Sequence, residues 1–194
     1  MAYTVLLDVK DYIGIDGSTA DDALLTELIR RATSAIDALC LRTFEASANT
    51  TRYFDALQHV TGRRLILDRD LCSITSITNG DGTTVTSSQY VTYPRNETPI
   101  YAIQLRSSAG INWTYDDDAE DAIAISGKWA YSLTAPDSIA HACIRLTAFF
   151  YRSKDAQVFD QTAFSELGAI RMNRKLPSDI MEMLMPFRRA VTNS

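Results

Sequence analysis

The hydrophobic period changes twice along this chain of 194 residues, and nothing else constrains its fold as tightly. Leu25, Leu28, Ile29, Ala32, Ile36, Leu39 and Cys40 recur at steps of three and four, the spacing of one helical stripe. That predicts a helix of about six turns over 20–43, with Glu27, Arg30, Ser34 and Asp37 on its far face. Leu41 falls among the polar residues, as an isolated exposed leucine or a subunit contact would. Thr19 and Asp22 have capping-box spacing at its start, and Glu27 is placed to pair with Arg31 one turn on. A shorter helix precedes it, capped by Asp8 and stopped by Gly14.

From about residue 50 the pattern becomes short β-branched and aromatic runs: "TTRYFDAL", "RLILD", "CSITSIT", "QYVTYP", "IYAIQLR", "AIAIS" and "KWAY". Turn residues separate them, and "NGDG" at 79–82 is the strongest hairpin signal, joining "CSITSIT" to "TTVTSSQYVTY". Ile74 and Ile77 have opposite parity, so a bulge or break is expected between them. After Gly127 and Trp129 the helical period returns. Pro136 suits a first helical position, and Ile139, Cys143, Leu146 and Phe150 make a second stripe.

A long connection over 153–177 has one or two helical turns at most, "DQTAFSELG". Its Phe159, Phe164, Leu167, Ile170 and Met172 are too apolar for a free linker and suit a segment that docks on a partner. Pro177 precedes a last helix, which Pro186 should kink or end. Ile180, Leu184 and Phe187 form its stripe, while Met181, Met183 and Met185 leave its first half little polar surface. So broad an apolar surface is buried on more than one side, in a core or against another subunit. The expected fold is α+β: a small helical bundle of N- and C-terminal segments, 1–48 and 132–194, with an inserted antiparallel β unit, 49–131.

Composition narrows the function. Net charge is −5 and the sequence pI about 5.0, against the basic stripe that a DNA-gripping protein carries. The densest charge run, Asp116, Asp117, Asp118, Glu120 and Asp121, is acidic. It lacks the alternating spacing and glycine of a calcium loop, and reads as a solvated turn or as charge facing a polyanion that must slide past. Basic residues gather late, in "IRMNRK" at 170–175 and at Arg188 and Arg189. Cys40, Cys72 and Cys143 are far apart, and the opening residues lack a signal peptide's basic segment and apolar core. Reduced thiols in an intracellular compartment are expected. No apolar run is long enough to span a bilayer.

A catalytic reading fares poorly. His141 and Cys143 are neighbours in "HAC", yet residues two apart on a helix point about 200° from each other, so they share neither proton nor metal. His59 sits in a turn, and no G-x-S-x-G, Walker, H-E-x-x-H or G-x-G-x-x-G motif occurs. No catalytic, cofactor or metal residue is assigned.

Four segments in order resemble the phage head–tail connector family, also called adaptor or head-completion proteins. The first is "LLDVKDYIGI…STADDALLTELIRRATSAIDALCLRTF", through Leu6, Val9, Lys10, Tyr12, Ile13, Gly14, Asp21, Asp22, Leu25, Ile29, Ala32, Ile36, Arg42 and Phe44. The others are "LCSITSITNGDGTTVTSSQY", "GKWAY…PDSIAHACIRLTAFFYR" and "LPSDIMEMLMPFRR". The β insertion and 153–177 are larger than in the family's shortest members.

The resemblance implies a structural virion protein that forms a ring, usually dodecameric, beneath the portal. Such a ring extends the DNA channel and gives the next tail or stopper protein a platform. Under it Leu41, Phe159, Phe164, Leu167, Ile170, Met172, Met181, Met185, Phe187, Arg188 and Arg189 face the portal or a neighbouring subunit. Asp116, Asp117, Asp118, Glu120 and Asp121 face the channel, where DNA passes without specific binding. The location implied is the head–tail interface of the virion, assembled in the host cytoplasm, away from any membrane. The alternatives are a tail-side terminator module, or an α+β hydrolase using His59 or His141.

Overall fold

The computed structural model describes residues 2–15, 17–154 and 176–189. The fold is α+β and divides into two compact units, 1–41 with 136–194 and 42–135.

The first unit is helical: α1 (Leu6–Ile13), α2 (Asp22–Cys40), α3 (Asp137–Arg152) and α4 (Ser178–Leu184). The two predicted stripes make its core. Leu25, Ile29, Ala32 and Ile36 of α2, with Ile139, Cys143 and Leu146 of α3, are buried. Each large aliphatic side chain removed from water is worth about 1.5–3 kcal/mol. Val9 of α1 joins Leu25 and Ile29, with Ile13 and Ile144 packed around them. Leu39 and Phe150 are only half-buried, and Arg31 covers the Phe150 ring at 4.7 Å.

Several local expectations are overturned here. Val5 rather than Asp8 precedes α1, so Asp8 sits in the first turn, where its charge suits the positive end of the helix dipole. The N-cap of α2 is Asp21, and it makes no side-chain capping bond: its carboxylate accepts from the Tyr151 hydroxyl at 2.6 Å, while that of Asp22 accepts from Lys10 of α1. Glu27 pairs with Arg30, not Arg31, which is occupied by Phe150. α2 stops at Cys40, three residues short, because Leu41 turns into the left-handed region at φ 56°. Pro136 is the N-cap of α3, one position before the expected N1. Pro186 does end α4, whose last residues tighten into a 3-10 turn over Met185–Phe187.

The second unit holds β1 (Asn49–Phe54), β2 (Val60–Thr61), β3 (Arg64–Leu71), β4 (Ser73–Thr78), β5 (Tyr90–Tyr93), β6 (Ile100–Leu105) and β7 (Ile123–Lys128). They form an antiparallel three-stranded sheet, β1-β7-β4, and an antiparallel four-stranded sheet, β2-β3-β6-β5. Phe54, Ile77, Ile123 and Ile125 from the first sheet meet Leu65, Leu67, Ile103 and Leu105 from the second in one core. β4 carries the expected irregularity, a register shift between Ile74 and Ser76.

The "NGDG" turn forms, with the Asn79 N–H donating to the Thr83 carbonyl at 2.8 Å. Its second arm is only a short bridge at Thr84, however. A further turn at 86–89 then sends the chain to the other sheet as β5. "AIAIS" and "KWAY" are not two strands: β7 takes in Ile123–Lys128 and stops before Trp129, so most of "KWAY" lies outside it.

One residue, Cys72, separates β3 of one sheet from β4 of the other, and its N–H binds the Lys128 carbonyl at 2.9 Å. Gly127 sits against this corner. A Cβ there would lie 2.2 Å from the Ser73 carbonyl oxygen and 2.9 Å from Leu71 Cδ1, so no side chain fits. Arg63 and Asn79 fasten the long segment after β6. The Arg63 guanidinium donates to the carbonyls of Leu105, Arg106 and Ile111, and the Asn79 amide donates to that of Asn112.

Candidate assembly surfaces

The residues singled out from sequence separate into one group in the helical unit and one in the β unit. In the helical unit, the chain after Phe187 returns to the end of α2. The Arg189 N–H donates to the Cys40 carbonyl at 2.9 Å, and the Cys40 thiol reaches the Leu184 carbonyl at 3.8 Å. Leu41, 39% exposed, therefore stands beside Arg188 and Arg189 although nearly the whole chain separates them in sequence. Ile180 and Leu184 fill the core, whereas Met181 is half-buried and Met185 is 62% exposed. Met183 approaches Arg145, which also pairs with Asp179. The result is a surface of Leu41, Met185, half-buried Phe187 and exposed Arg188 at one end of the bundle. Phe159, Phe164, Leu167, Ile170 and Met172 lie outside the described residues, as does "IRMNRK".

In the β unit, Asp116, Asp117, Asp118, Glu120 and Asp121 are all exposed on a turn pinned by its one buried residue, Ala119. The Ala119 carbonyl accepts the Ala56 N–H at 2.8 Å, and the Asp121 N–H donates to the Asp55 carboxylate at 2.9 Å. Among the described residues none of the five makes an ion pair.

The same unit carries a surface that sequence reasoning did not find. On the outer face of the four-stranded sheet, register places Arg64 and Ile66 of β3 beside Gln104 and Ala102 of β6, and these beside Val91 and Tyr93 of β5. The Arg64 guanidinium lies 4.4 Å from the Tyr93 ring centroid, and that of Arg95 lies 5.9 Å away. Donation from Arg95, then from Arg64, holds the Tyr93 hydroxyl below the ordinary tyrosine range. The only signal in the sequence was strand parity, which is useless until the register of three non-consecutive strands is known.

Both histidines make contacts within their own units. His59 Nδ1 accepts the Asp55 N–H at 3.0 Å, and the ring stands edge-on to Phe54. His141 is exposed and edge-on to Tyr12, while Cys143 is buried with its sulfur 3.6 Å from the Thr33 hydroxyl. The two histidines belong to different units. Burial pushes the Cys143 and Cys72 thiols up, away from reactive thiolates. Among the described residues no three His, Cys, Asp or Glu side chains converge as a metal site, and no helix is long and apolar enough to cross a membrane.

No curated protein matches the sequence. Among solved structures, a chain in the neck of an empty gene transfer agent particle, computed with C6 symmetry, is similar at a TM-score of 0.59 and 16% identity. A chain from the virion of a native gene transfer agent particle gives 0.58 and 16%. Each comparison covers 97% of this chain and 91% of the other, and at that identity it establishes the shared fold. The sequence model for head completion proteins matches residues 4–190. That span takes in every described helix and strand of both units, and the chain belongs to the head completion protein family, phage head-completion or connector proteins with a structural role.

Proposed function

We propose that this protein is the adaptor of a phage-type particle: a ring beneath the portal that extends the DNA channel and carries the next tail or stopper protein. What supports the reading most is the family match over both units. The similarity to a chain in a particle neck computed with C6 symmetry agrees with it, since that symmetry suits a closed ring of six copies or a multiple of six. Ring closure needs a heterologous interface, one surface meeting a different surface on the next copy. The end of the helical unit, with Leu41, Met181, Met185, Phe187, Arg188 and Arg189, offers an apolar patch rimmed by charge, suited to the portal or a neighbour. Phe159, Phe164, Leu167, Ile170 and Met172 supply further apolar groups for the same contact.

An exposed carboxylate run such as 116–121 has two uses in such a ring. It repels DNA phosphates from a channel wall, or it engages arginines on the next subunit. The reading places the protein at the head–tail interface of the virion and asks for no catalytic group. Imaging the purified protein alone and mixed with the portal of its own particle tests it. Closed rings on the portal are expected; a protein that stays monomeric and never binds portal sinks the reading.

A further inference from the structure

Arg64, on the outer face of the four-stranded sheet, and Arg95, in the turn just past β5, are both placed against Tyr93 yet have no carboxylate. Arg64 is held over Tyr93 by stacking and by the 3.2 Å bond it donates to the Gln104 side-chain amide oxygen, and Arg95 closes on the same phenol. Neither forms an ion pair among the described residues, although Glu97 is only two positions from Arg95. Arg63, next in sequence, shows the contrast: its donors are spent on three backbone carbonyls. Beside the arginine pair lie Ile66, 43% exposed, and the half-buried Val91. The face therefore joins a stacked cationic pair to two flanking apolar side chains, the make-up of a protein-binding hot spot.

The same unit displays the complement. Asp116, Asp117 and Asp118 project from an anchored turn, and no cation of the described chain neutralises them. Arg64 and Arg95 present planar forks of donors, which match carboxylates two oxygens at a time. One copy cannot use these two surfaces on itself without an ion pair between them, and none is present among the described residues.

We infer that the Arg64–Tyr93–Arg95 face receives the acidic turn 116–118 of a second copy of this chain, a head-to-tail contact between β units. The inference rests on the ring reading above and deepens it, giving the β insertion the task of joining neighbours. It assigns the acidic turn to the subunit interface in place of the channel wall. A DNA backbone is the other polyanion that two arginines fit, but the exposed Ile66 beside them and a net charge of −5 favour a protein partner.

The test uses the full chain with its portal. Arg64→Glu with Arg95→Glu, and separately Asp116→Lys with Asp117→Lys and Asp118→Lys, reverse the two surfaces; a third protein carries both sets. All altered side chains except half-buried Arg64 are exposed, and unchanged thermal melting verifies folding. Ring fraction by mass photometry and electron microscopy should fall about tenfold or more in each single-surface variant and recover in the combined protein. Wild-type rings that persist in both variants overturn the interface while leaving the ring reading intact. Ring loss from the arginine reversal alone, or intact rings with weaker retention of packaged DNA in that variant, also overturns it, the latter assigning the arginines to DNA. A wild-type protein that forms no ring with portal removes the ring reading and this inference together.

Discussion

The helical unit and the β unit each bury a cation, and they support it differently. Lys10 of α1 reaches across to Asp22 at 2.8 Å and to the Ser18 carbonyl, and Asp22 remains 32% exposed. Arg42 faces Asp70 at 3.4 Å, with Asp70 only 7% exposed. Arg42 Nε and Asp70 Oδ2 both lack a hydrogen bond, and Tyr131 covers the guanidinium at 5.2 Å. The helical pair is a staple across a surface loop that water can take over. The β pair is enclosed, so each charge depends on the other.

That difference sets the largest expected effect. Arg42→Met strands the Asp70 carboxylate and should cost about 4 kcal/mol, whereas Lys10→Met should cost about 1 kcal/mol because Asp22 rehydrates. Trp113 and Trp129 are the chain's two tryptophans and both belong to the β unit, so urea unfolding followed by their fluorescence isolates the first effect. Far-UV circular dichroism reports the second through the helices. Equal losses would erase the contrast. Arg42→Met with Asp70→Val should recover most of the loss, since an apolar pair close to the original volume needs no partner.

Glycines separate the units in a second way. Gly14 ends α1 at φ 81° with nothing within 4 Å of a Cβ, so Gly14→Ala meets only the left-handed backbone penalty, about 1 kcal/mol. Gly127→Ala collides with the Ser73 carbonyl at a corner with one residue of slack, and should cost about 2 kcal/mol. If Gly127→Ala unfolds at the wild-type urea midpoint, the sheet corner is looser than its geometry.

The same contrast explains what could be read from the sequence. α2 and α3 were legible because a helix buries its stripe at a fixed period, and Ile29, Ile36, Ile139 and Leu146 obey it. The break in β4 was legible from the parity of Ile74 and Ile77. The end of α2 was not. Arg42 and Phe44 look like its last turn, yet Phe44 is fully buried in the β unit against Tyr131, and Arg42 serves Asp70. The capping box failed for a related reason, since Lys10 claims the Asp22 carboxylate from a different helix. Of the candidate surfaces, Leu41 and Arg188 were each visible, but their adjacency depends on one backbone bond between Arg189 and Cys40. The Arg64–Tyr93–Arg95 cluster needed a strand register that no local pattern carries.

The smallest effect probes the helical unit's tolerance of charge through pH. Asp37 is half-buried on α2, and burial raises its carboxyl above the ordinary range, opposed by the bond donated by the Tyr3 hydroxyl. A carboxyl whose folded pKa is raised binds its proton more tightly folded than unfolded. Its contribution is therefore fully present below the unfolded value, about 3.9, and is lost as pH rises through the folded one. At pH 7 the ionised group carries its desolvation cost. Asp37→Asn removes that cost while its amide oxygen still accepts from Tyr3. The variant should melt slightly above wild type at pH 7, and the gap should close as pH falls below about 4. A variant less stable than wild type at pH 7 would mean that Tyr3 stabilises the charged carboxylate by more than burial penalises it, making this site resemble the enclosed Arg42–Asp70 pair in needing its charge.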